Sequence, residues 1–305
     1  MSFKFSDDNK RYHTLSYHNR HTYGGKVYKA VIDAGFSCPN IDGSKGKGGC
    51  IFCDGGSGYF TTGKISITEQ LEREKARITA KNPDAKLTAY FQAHTNTYAD
   101  IDTLRRIYDE AVHFGVNSIA VATRADCINE EIVRVLCELT VPVTVELGLQ
   151  SVHDSTAEII NRGHTFAEFL TGYNMLKNAG IRVCVHIING LPSETPEMML
   201  KTAEMLGKLK PDGVKIHLLH VIRGTKLHEM YEKGEYITLT KAEYIDITVS
   251  QLELLPPETV IERITGDGDK KKLVAPLWSM DKISVLGGID KVQRERDSFQ
   301  GKFFI

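Results

Sequence analysis

Along this chain, short runs rich in Val, Ile and Leu alternate with longer stretches whose apolar residues recur every three or four positions. The first kind is the pattern of a buried strand and the second that of an amphipathic helix. The runs VYKAVID (27–33), LTAYFQAH (87–94), SIAVAT (118–123), VTVELGLQ (143–150), RVCVHIING (182–190) and GVKIHLLHV (213–221) predict six strands. Helices are predicted between them. TEQLEREKARITAKN opens with Thr68 as its N-cap and stops before Pro83, and DIDTLRRIYDEAVHFG runs from acidic residues to Gly115. TFAEFLTGYNMLKNAG and TPEMMLKTAEMLGKLK follow the same grammar, the second with Pro196 just inside its start.

Strand and helix in strict alternation signify βαβ units and a parallel sheet, and right-handed crossovers curl such a sheet into a barrel. Six units predict an α/β fold, a partial (βα)6 TIM-like barrel. After about residue 240 the pattern changes to one helix, KAEYIDITVSQLELLP, and a short strand, TVIERITG, followed by irregular charged text through DGDKKKLVAPLWSM. The expected division is an N-terminal extension (1–26), the barrel core (27–240) and a C-terminal α/β extension (241–305) packing on it.

Composition adds little to that frame. The 305 residues are 41% hydrophobic and 25% charged, with a formal net charge of -1, which neither demands nor excludes a polyanionic partner. No stretch reaches the roughly 18 to 20 apolar residues of a membrane span and the N-terminus lacks an apolar leader, so a cytoplasmic protein without membrane association is expected. One segment stands out by charge. KRYHTLSYHNRHTYGGKVYK interleaves Lys10, Arg11, Arg20, Lys26 and Lys29 with tyrosines and histidines. That mixture suits nucleic-acid binding, and equally an extension that docks its rings on the barrel with its charges outward.

Six cysteines are too few for a disulfide scaffold, yet three of them, Cys38, Cys50 and Cys53, fall within the Gly-rich loop CPNIDGSKGKGGCIFC directly after the first strand. Loops at the C-terminal ends of barrel strands are where active sites are built. Three readings compete: a zinc site, three unrelated buried thiols, and an iron–sulfur cluster on three thiolates that leaves one iron open. Zinc needs a fourth ligand, and His18, His21 and His94 are available but at no familiar knuckle spacing. Cys127, Cys137 and Cys184 lie in apolar text and read as buried small hydrophobes.

The three cysteines, with Phe52 before the last, resemble the [4Fe-4S] loop of the radical S-adenosylmethionine (radical SAM) superfamily. The eleven-residue first gap is similar to that of its elongator-type branch. VELGLQS on the fourth strand, NRGHT after it, INGLPSET after the fifth strand and VKIHLLHVIRGTKLHEMYEKGEY on the sixth resemble further motifs of that branch, and the resemblance covers nearly the whole chain.

Membership implies a [4Fe-4S] cluster on Cys38, Cys50 and Cys53, S-adenosylmethionine on its open iron, and an electron donor such as flavodoxin or ferredoxin. FQAHTNTY stands where many members carry a Gly-Gly-Glu run that holds the methionyl amine, which makes Gln92, Thr95 and Asn96 the candidate substitutes. Glu146 and Gln150 alternate on one strand and should share the barrel interior with Gly148. A buried Glu146 needs donors, from ribose hydroxyls, a substrate amine or Arg162. Arg162 could instead clamp the cofactor carboxylate, while Asn189 and the GLPSET backbone would flank the adenine. Glu146, Arg162 and His186 are the candidate catalytic residues; each is also compatible with a structural role, as are His94, His217 and His220 near strand ends. Arg223 and Gly224 fall at the barrel mouth, DKKKL (269–273) reads as a solvated turn, and Lys45 and Lys47 should face outward.

The elongator-type resemblance implies tRNA as substrate, with remodelling of the C5 side chain of the wobble uridine. No room is expected after the barrel for an acetyltransferase domain. Radical chemistry on a small molecule, as in tetrapyrrole oxidases, and a zinc-stabilised adaptor without enzymatic activity are the alternatives.

Overall fold

The computed structural model describes residues 3–54, 65–92, 94–266 and 270–305. The N-terminal segment folds into α1 (Leu15–Tyr23), which begins where the Thr14 hydroxyl accepts the Tyr17 N–H at 3.1 Å and ends at Gly24, whose φ of 67° only glycine adopts without strain. Beyond it β1 (Val27–Ile32), β2 (Lys86–Phe91), β3 (Ser118–Thr123), β4 (Val143–Gln150), β5 (Arg182–Asn189) and β6 (Gly213–Leu218) lie side by side in chain order. Each neighbouring pair is parallel.

Parallel pairing needs a crossover after every strand, and α2 (Ile67–Thr79), α3 (Ile101–His113), α4 (Glu130–Glu138), α6 (Phe166–Asn178) and α7 (Pro196–Leu209) supply them, with the short α5 (Asp154–Ile159) before α6. Residues of one parity on each strand, among them Ile32, Phe91, Val121, Leu147, Val185 and Ile216, pack against those helices and are buried. Each such side chain contributes roughly 1.5–3 kcal/mol of burial. The other parity faces the barrel interior. α2 starts two residues earlier than its sequence suggests: Ser66, not Thr68, caps it, because the Ser66 hydroxyl accepts the Glu69 N–H at 3.1 Å while Thr68 bonds Glu110 at 2.8 Å.

The sheet is one strand wider than six units. α9 (Lys241–Leu254) returns the chain so that β8 (Val260–Arg263) pairs parallel with β6, giving seven strands in the order β1-β2-β3-β4-β5-β6-β8. A separate antiparallel ribbon, β7 (Val221–Ile222) with β9 (Leu273–Ala275), stands beyond the C-terminal end of β6 and is followed on its first arm by α8 (Lys226–Glu232). The tail expected to be irregular therefore contains a strand. It leads through a 3-10 turn, Leu277–Met280, into α10 (Lys282–Glu295), while residues 267–269 of that tail lie outside the described residues.

Much of the charge of the N-terminal segment is paired within the chain. Lys10 pairs with Asp290 at 2.6 Å, Arg11 with Asp297 at 2.9 Å, Arg20 with Asp7, and Tyr12 is buried. The extension is docked on the chain's own carboxylates. Lys29 belongs to the barrel interior, as described below. Of the three other cysteines Cys184 is buried as expected, Cys127 is half-buried, and Cys137 is exposed on α4. No helix among the described residues is long and apolar enough to cross a membrane.

Candidate active site

Interior-facing positions of a barrel this apolar would ordinarily carry Val or Ile; here five strands bring charge. Glu146 of β4, 1% exposed, accepts Lys29 of β1 at 2.5 Å, the Tyr90 hydroxyl of β2 at 2.7 Å, His186 Nε2 of β5 at 2.9 Å, and the ammonium of Lys215 of β6. Both ammoniums also lie over the Tyr90 ring, 4.6 Å and 4.9 Å from its centroid. The chain of alternating charge continues through Lys29 to Glu262 of β8 at 3.3 Å and on to Arg182 of β5 at 2.7 Å. Two carboxylates thus sit among three permanent cations.

Those neighbours decide the protonation states. Burial alone would raise the Glu146 carboxyl, but Lys215 and Lys29 outweigh it and hold the group well below the usual range. Glu262 is likewise opposed by burial yet lowered to about 2 by Lys29 and Arg182. His186 is shifted the other way, down, by burial and the Lys215 charge, and so is its neighbour His217, whose ring centroid lies 5.2 Å away. An ionised Glu146 beside a neutral imidazole fixes the His186 tautomer, with Nε2–H donated to the carboxylate. Gly148, next but one on β4, leaves open the place a Cβ would take: such an atom would lie 2.6 Å from the Gln150 side-chain amide. Gln150 adopts φ 60° at the β4 bulge opposite β5, and its amide folds over the interior face as the alternation predicted.

Above this floor the cysteine loop is built onto the segment Asn161–Arg162–Gly163. The Asn40 amide donates to the Asn161 carbonyl at 2.5 Å and to Cys50 Sγ at 3.7 Å, and the Asn161 amide donates to the Gly49 carbonyl at 2.7 Å. Ile51 N–H bonds the Ile160 carbonyl at 3.0 Å. Gly163, at φ 74°, permits the approach, since a Cβ there would stand 2.7 Å from Asn40 Oδ1. Lys45 is exposed, as expected, and its ammonium also pairs at 2.7 Å with Asp126, which Arg124 binds at 2.9 Å. Lys47 is exposed.

Cys38, Cys50 and Cys53 form no disulfide and are half-buried, and Cys53 and Cys38 add to the burial that pushes the Cys50 thiol up to about 11. Among the described residues no three His, Cys, Asp or Glu side chains converge to hold a single metal ion. A cubane makes a different demand, because each thiolate binds its own iron and the three sulfurs must border a volume. Three cysteines outside any disulfide, on a loop whose backbone is held at Asn161 and Ile160, with the Asn40 amide donating to Cys50 Sγ, fit that group.

The remaining candidates separate. Arg162 is fully buried, but its guanidinium is turned to backbone: Nη1 donates to the carbonyls of Leu149 at 2.5 Å and Ser151 at 2.6 Å, and Nε to His164 at 2.9 Å. Burial lowers it to about 10. Its Nη2 is buried without a hydrogen bond and lies 3.6 Å from Asp154. It is not a donor to Glu146, whose donors are the lysines, Tyr90 and His186. Asn189 stands on the helix side of β5, its amide exchanging two 2.8 Å bonds with Gln251 of α9, so the adenine contact expected of its side chain is not the one it makes. Thr95 and Asn96 are buried beyond β2, where Asn96 donates to the Ala122 carbonyl at 3.0 Å and Thr95 N–H bonds the Ser37 carbonyl at 3.2 Å; Gln92 is half-buried at the strand end. His18 faces the lower end of the barrel in a cavity of 60 Å³ with Lys29, Arg182 and Glu262, and His21 stacks on Tyr17 at 3.9 Å, so neither joins the cysteines.

An iron–sulfur loop on the C-terminal side of a partial parallel barrel, over a polar floor, defines a cofactor-dependent radical enzyme class, and the chain belongs to the radical SAM superfamily. The superfamily model matches residues 43–206 and the Radical_SAM C-terminal domain model residues 211–295. S-adenosylmethionine and a [4Fe-4S] cluster are the cofactors of that membership. Among relatives, YtqA of Bacillus subtilis is 45% identical, over 99% of this chain and 95% of its own length. A tRNA uridine(34) acetyltransferase of Methanocaldococcus jannaschii is 28% identical over 81% of this chain, which spans 52% of that protein. The solved archaeal Elp3 of Methanocaldococcus infernus superposes with a TM-score of 0.70 over 90% of this chain at 19% identity, and the chain spans 64% of its length.

Lys29, Tyr90, Lys215, Glu262 and the Asn40–Asn161 contact were missed in the sequence reading. A lysine amid Val and Ile at an interior-parity position, as in GVKIHL, is the signal that marks Lys215.

Proposed function

We propose that this radical SAM enzyme acts on tRNA, remodelling the C5 side chain of the wobble uridine. The observation that carries the proposal is the similarity to a tRNA uridine(34) acetyltransferase along 81% of the chain. In this reading Cys38, Cys50 and Cys53 hold the [4Fe-4S] cluster, which when bound supplies the electron that cleaves S-adenosylmethionine to the hydrogen-abstracting 5′-deoxyadenosyl radical.

The residues of the chain then have separate tasks. Gln150, and Gln92 with Thr95 and Asn96 at the end of β2, line the side from which the cofactor is held. Arg162 anchors the β4 end through Leu149 and Ser151 and leaves Nη2 for a carboxylate. Four donors keep Glu146 ionised, so it positions others and does not carry protons. His186, held neutral with Nε2–H on Glu146, offers Nδ1 as the proton acceptor beside the substrate.

The test is the nucleoside content of tRNA from a strain lacking this protein, compared with wild type and with a strain expressing Cys38→Ala. Accumulation of one unremodelled wobble uridine in both mutant strains is expected. Identical nucleoside profiles would refute the assignment and leave a small-molecule substrate.

A further inference from the structure

We propose that Arg124 and Asp126, behind the cysteine loop, are positioning residues that set the reduction potential of the cluster through the sign of the charge each presents to it. The inference rests on the reading of Cys38, Cys50 and Cys53 as the cluster's ligands and is independent of the substrate. Arg124 directly follows β3, and Asp126 lies in the 3-10 turn Ala125–Cys127. That turn is held fast, since no side chain at Gly172 of α6 would clear the Ala125 carbonyl. Nη1 of Arg124 donates to the Arg162 carbonyl at 2.7 Å and Nη2 to the Gly163 carbonyl at 3.1 Å. Nε and Nη2 also donate to the two Asp126 oxygens, each at 2.9 Å. A two-pronged pair of this kind fixes the orientation of the guanidinium as well as its charge.

These contacts bring the pair to the cysteines. A Cβ at Gly163 would lie 3.6 Å from Arg124 Nη2 and 2.7 Å from Asn40 Oδ1, so the two side chains flank one glycine, and the Asn40 amide donates to Cys50 Sγ. Asp126 accepts Lys45 of the loop itself at 2.7 Å. The Arg124 and Asp126 side chains are only 10% and 2% exposed, so water screens them poorly. Burial disfavours both charges, but their mutual bonds, with Lys45, outweigh it, and the carboxyl is held below its usual range. Arg124 in turn favours the thiolate form of Cys50, and Cys38 favours the guanidinium cation. His164, 3.9 Å from Asp126, is pushed down to about 3, first by burial, and is neutral.

Reduction adds one electron, taken from an external one-electron donor, to a site that three thiolates already make anionic. A poorly screened cation beside that site stabilises the reduced state, and an anion stabilises the oxidised state. Arg124 and Asp126 therefore oppose one another, and the balance between them decides how readily the electron is accepted. A bracket that only held the loop would carry no such sign, because losing either member would loosen it in the same way.

The experiment titrates the full chain, reconstituted with iron and sulfide and free of S-adenosylmethionine and RNA, with titanium(III) citrate. Electron paramagnetic resonance reads the ratio of reduced to oxidised cluster at fixed potential. Arg124→Gln should lower that ratio about tenfold and Asp126→Asn should raise it about tenfold, each corresponding to about 59 mV for a one-electron couple. Arg124→Lys, which keeps the charge without the two-pronged bond, should return the ratio to that of wild type. Lys45→Met removes a cation whose side chain is 39% exposed, so it should lower the ratio by only about threefold, and that shift should fade with added salt. Iron and sulfide per chain are measured on every variant. If Arg124→Gln does not assemble the cluster, Asp126→Asn and Lys45→Met retain the opposed signs. Shifts of one sign in those two, or ratios unchanged from wild type, would overturn the proposal. A wild-type chain that gains no visible cluster absorption on reconstitution would instead overturn the ligand reading on which it rests.

Discussion

Lys29 and Glu146, 117 positions apart in the chain, meet at 2.5 Å on the barrel floor. Their contact joins the first strand to the fourth across an interior that water does not share on the carboxylate side, and it turns an isolated buried charge into one member of a chain running from Arg182 to Lys215. A network of this kind adds little net stability over an apolar core, but losing any one member is expensive, because the others are left buried and uncompensated.

Glu146→Gln should therefore destabilise the protein by about 3 kcal/mol or more. Two ammoniums lose their shared counter-charge while the side-chain volume is kept. Chemical denaturation of the cluster-free protein measures this, and a loss below about 1 kcal/mol would show that the lysines find other partners.

Acid should act through the same groups. Glu262 has its ordinary value of 4.5 when unfolded and about 2 when folded, so its contribution is complete above pH 4.5 and is lost as pH falls toward 2. Histidines held neutral by burial also lose stability in acid, so the informative quantity is a difference. Glu262→Gln should be less stable than wild type at pH 6, and the gap should close between pH 4.5 and 2; a gap independent of pH would refute the ionised pair.

Gly163→Ala should impair assembly of the iron–sulfur site while the barrel stays folded. Its φ of 74° and the 2.7 Å approach to Asn40 Oδ1 both oppose a methyl group, and Asn40 holds the loop. Gly115→Ala is the control, because φ there is 90° but no atom lies within 4 Å. Iron and sulfide per chain after anaerobic reconstitution should fall for the first and not for the second. Equal loading would mean that the loop does not depend on this contact.

Cys38→Ala, Cys50→Ala and Cys53→Ala should each abolish the visible absorption of the reconstituted protein and its reductive cleavage of S-adenosylmethionine, with unchanged far-ultraviolet circular dichroism. Cys137→Ala, on the exposed face of α4, should change neither. Full activity in any of the first three would remove that thiol from the ligand set.

His186→Gln should keep cluster content and cofactor cleavage but lower the yield of modified RNA about 100-fold, the lower end of what a positioned proton acceptor contributes. A yield unchanged at every pH would assign the residue to packing.

Local pattern was sufficient to read the six strands and the crossover helices of the barrel, because period two and period three to four are properties of neighbouring residues and survive in any tertiary context. It also placed Glu146 and Gln150 on one face. What it could not supply was the partner on the far side of the barrel: nothing in VYKAVID says that Lys29 turns inward, and nothing in TVIERITG says that Glu262 extends the sheet to receive it. The same limit applied to Asn189, whose polarity suggested a ligand while its parity sent it to Gln251 on the helix side. Cys38, Cys50 and Cys53 were legible as a spacing; that Asn40, Asn161 and Gly163 hold them required the fold, because those contacts close more than a hundred residues of chain. The sequence by itself determined which segments form strands, helices and a thiol loop. Only the tertiary structure decided which charges neutralise one another, since a buried charge is set by what surrounds it in space and not by what precedes it in the chain.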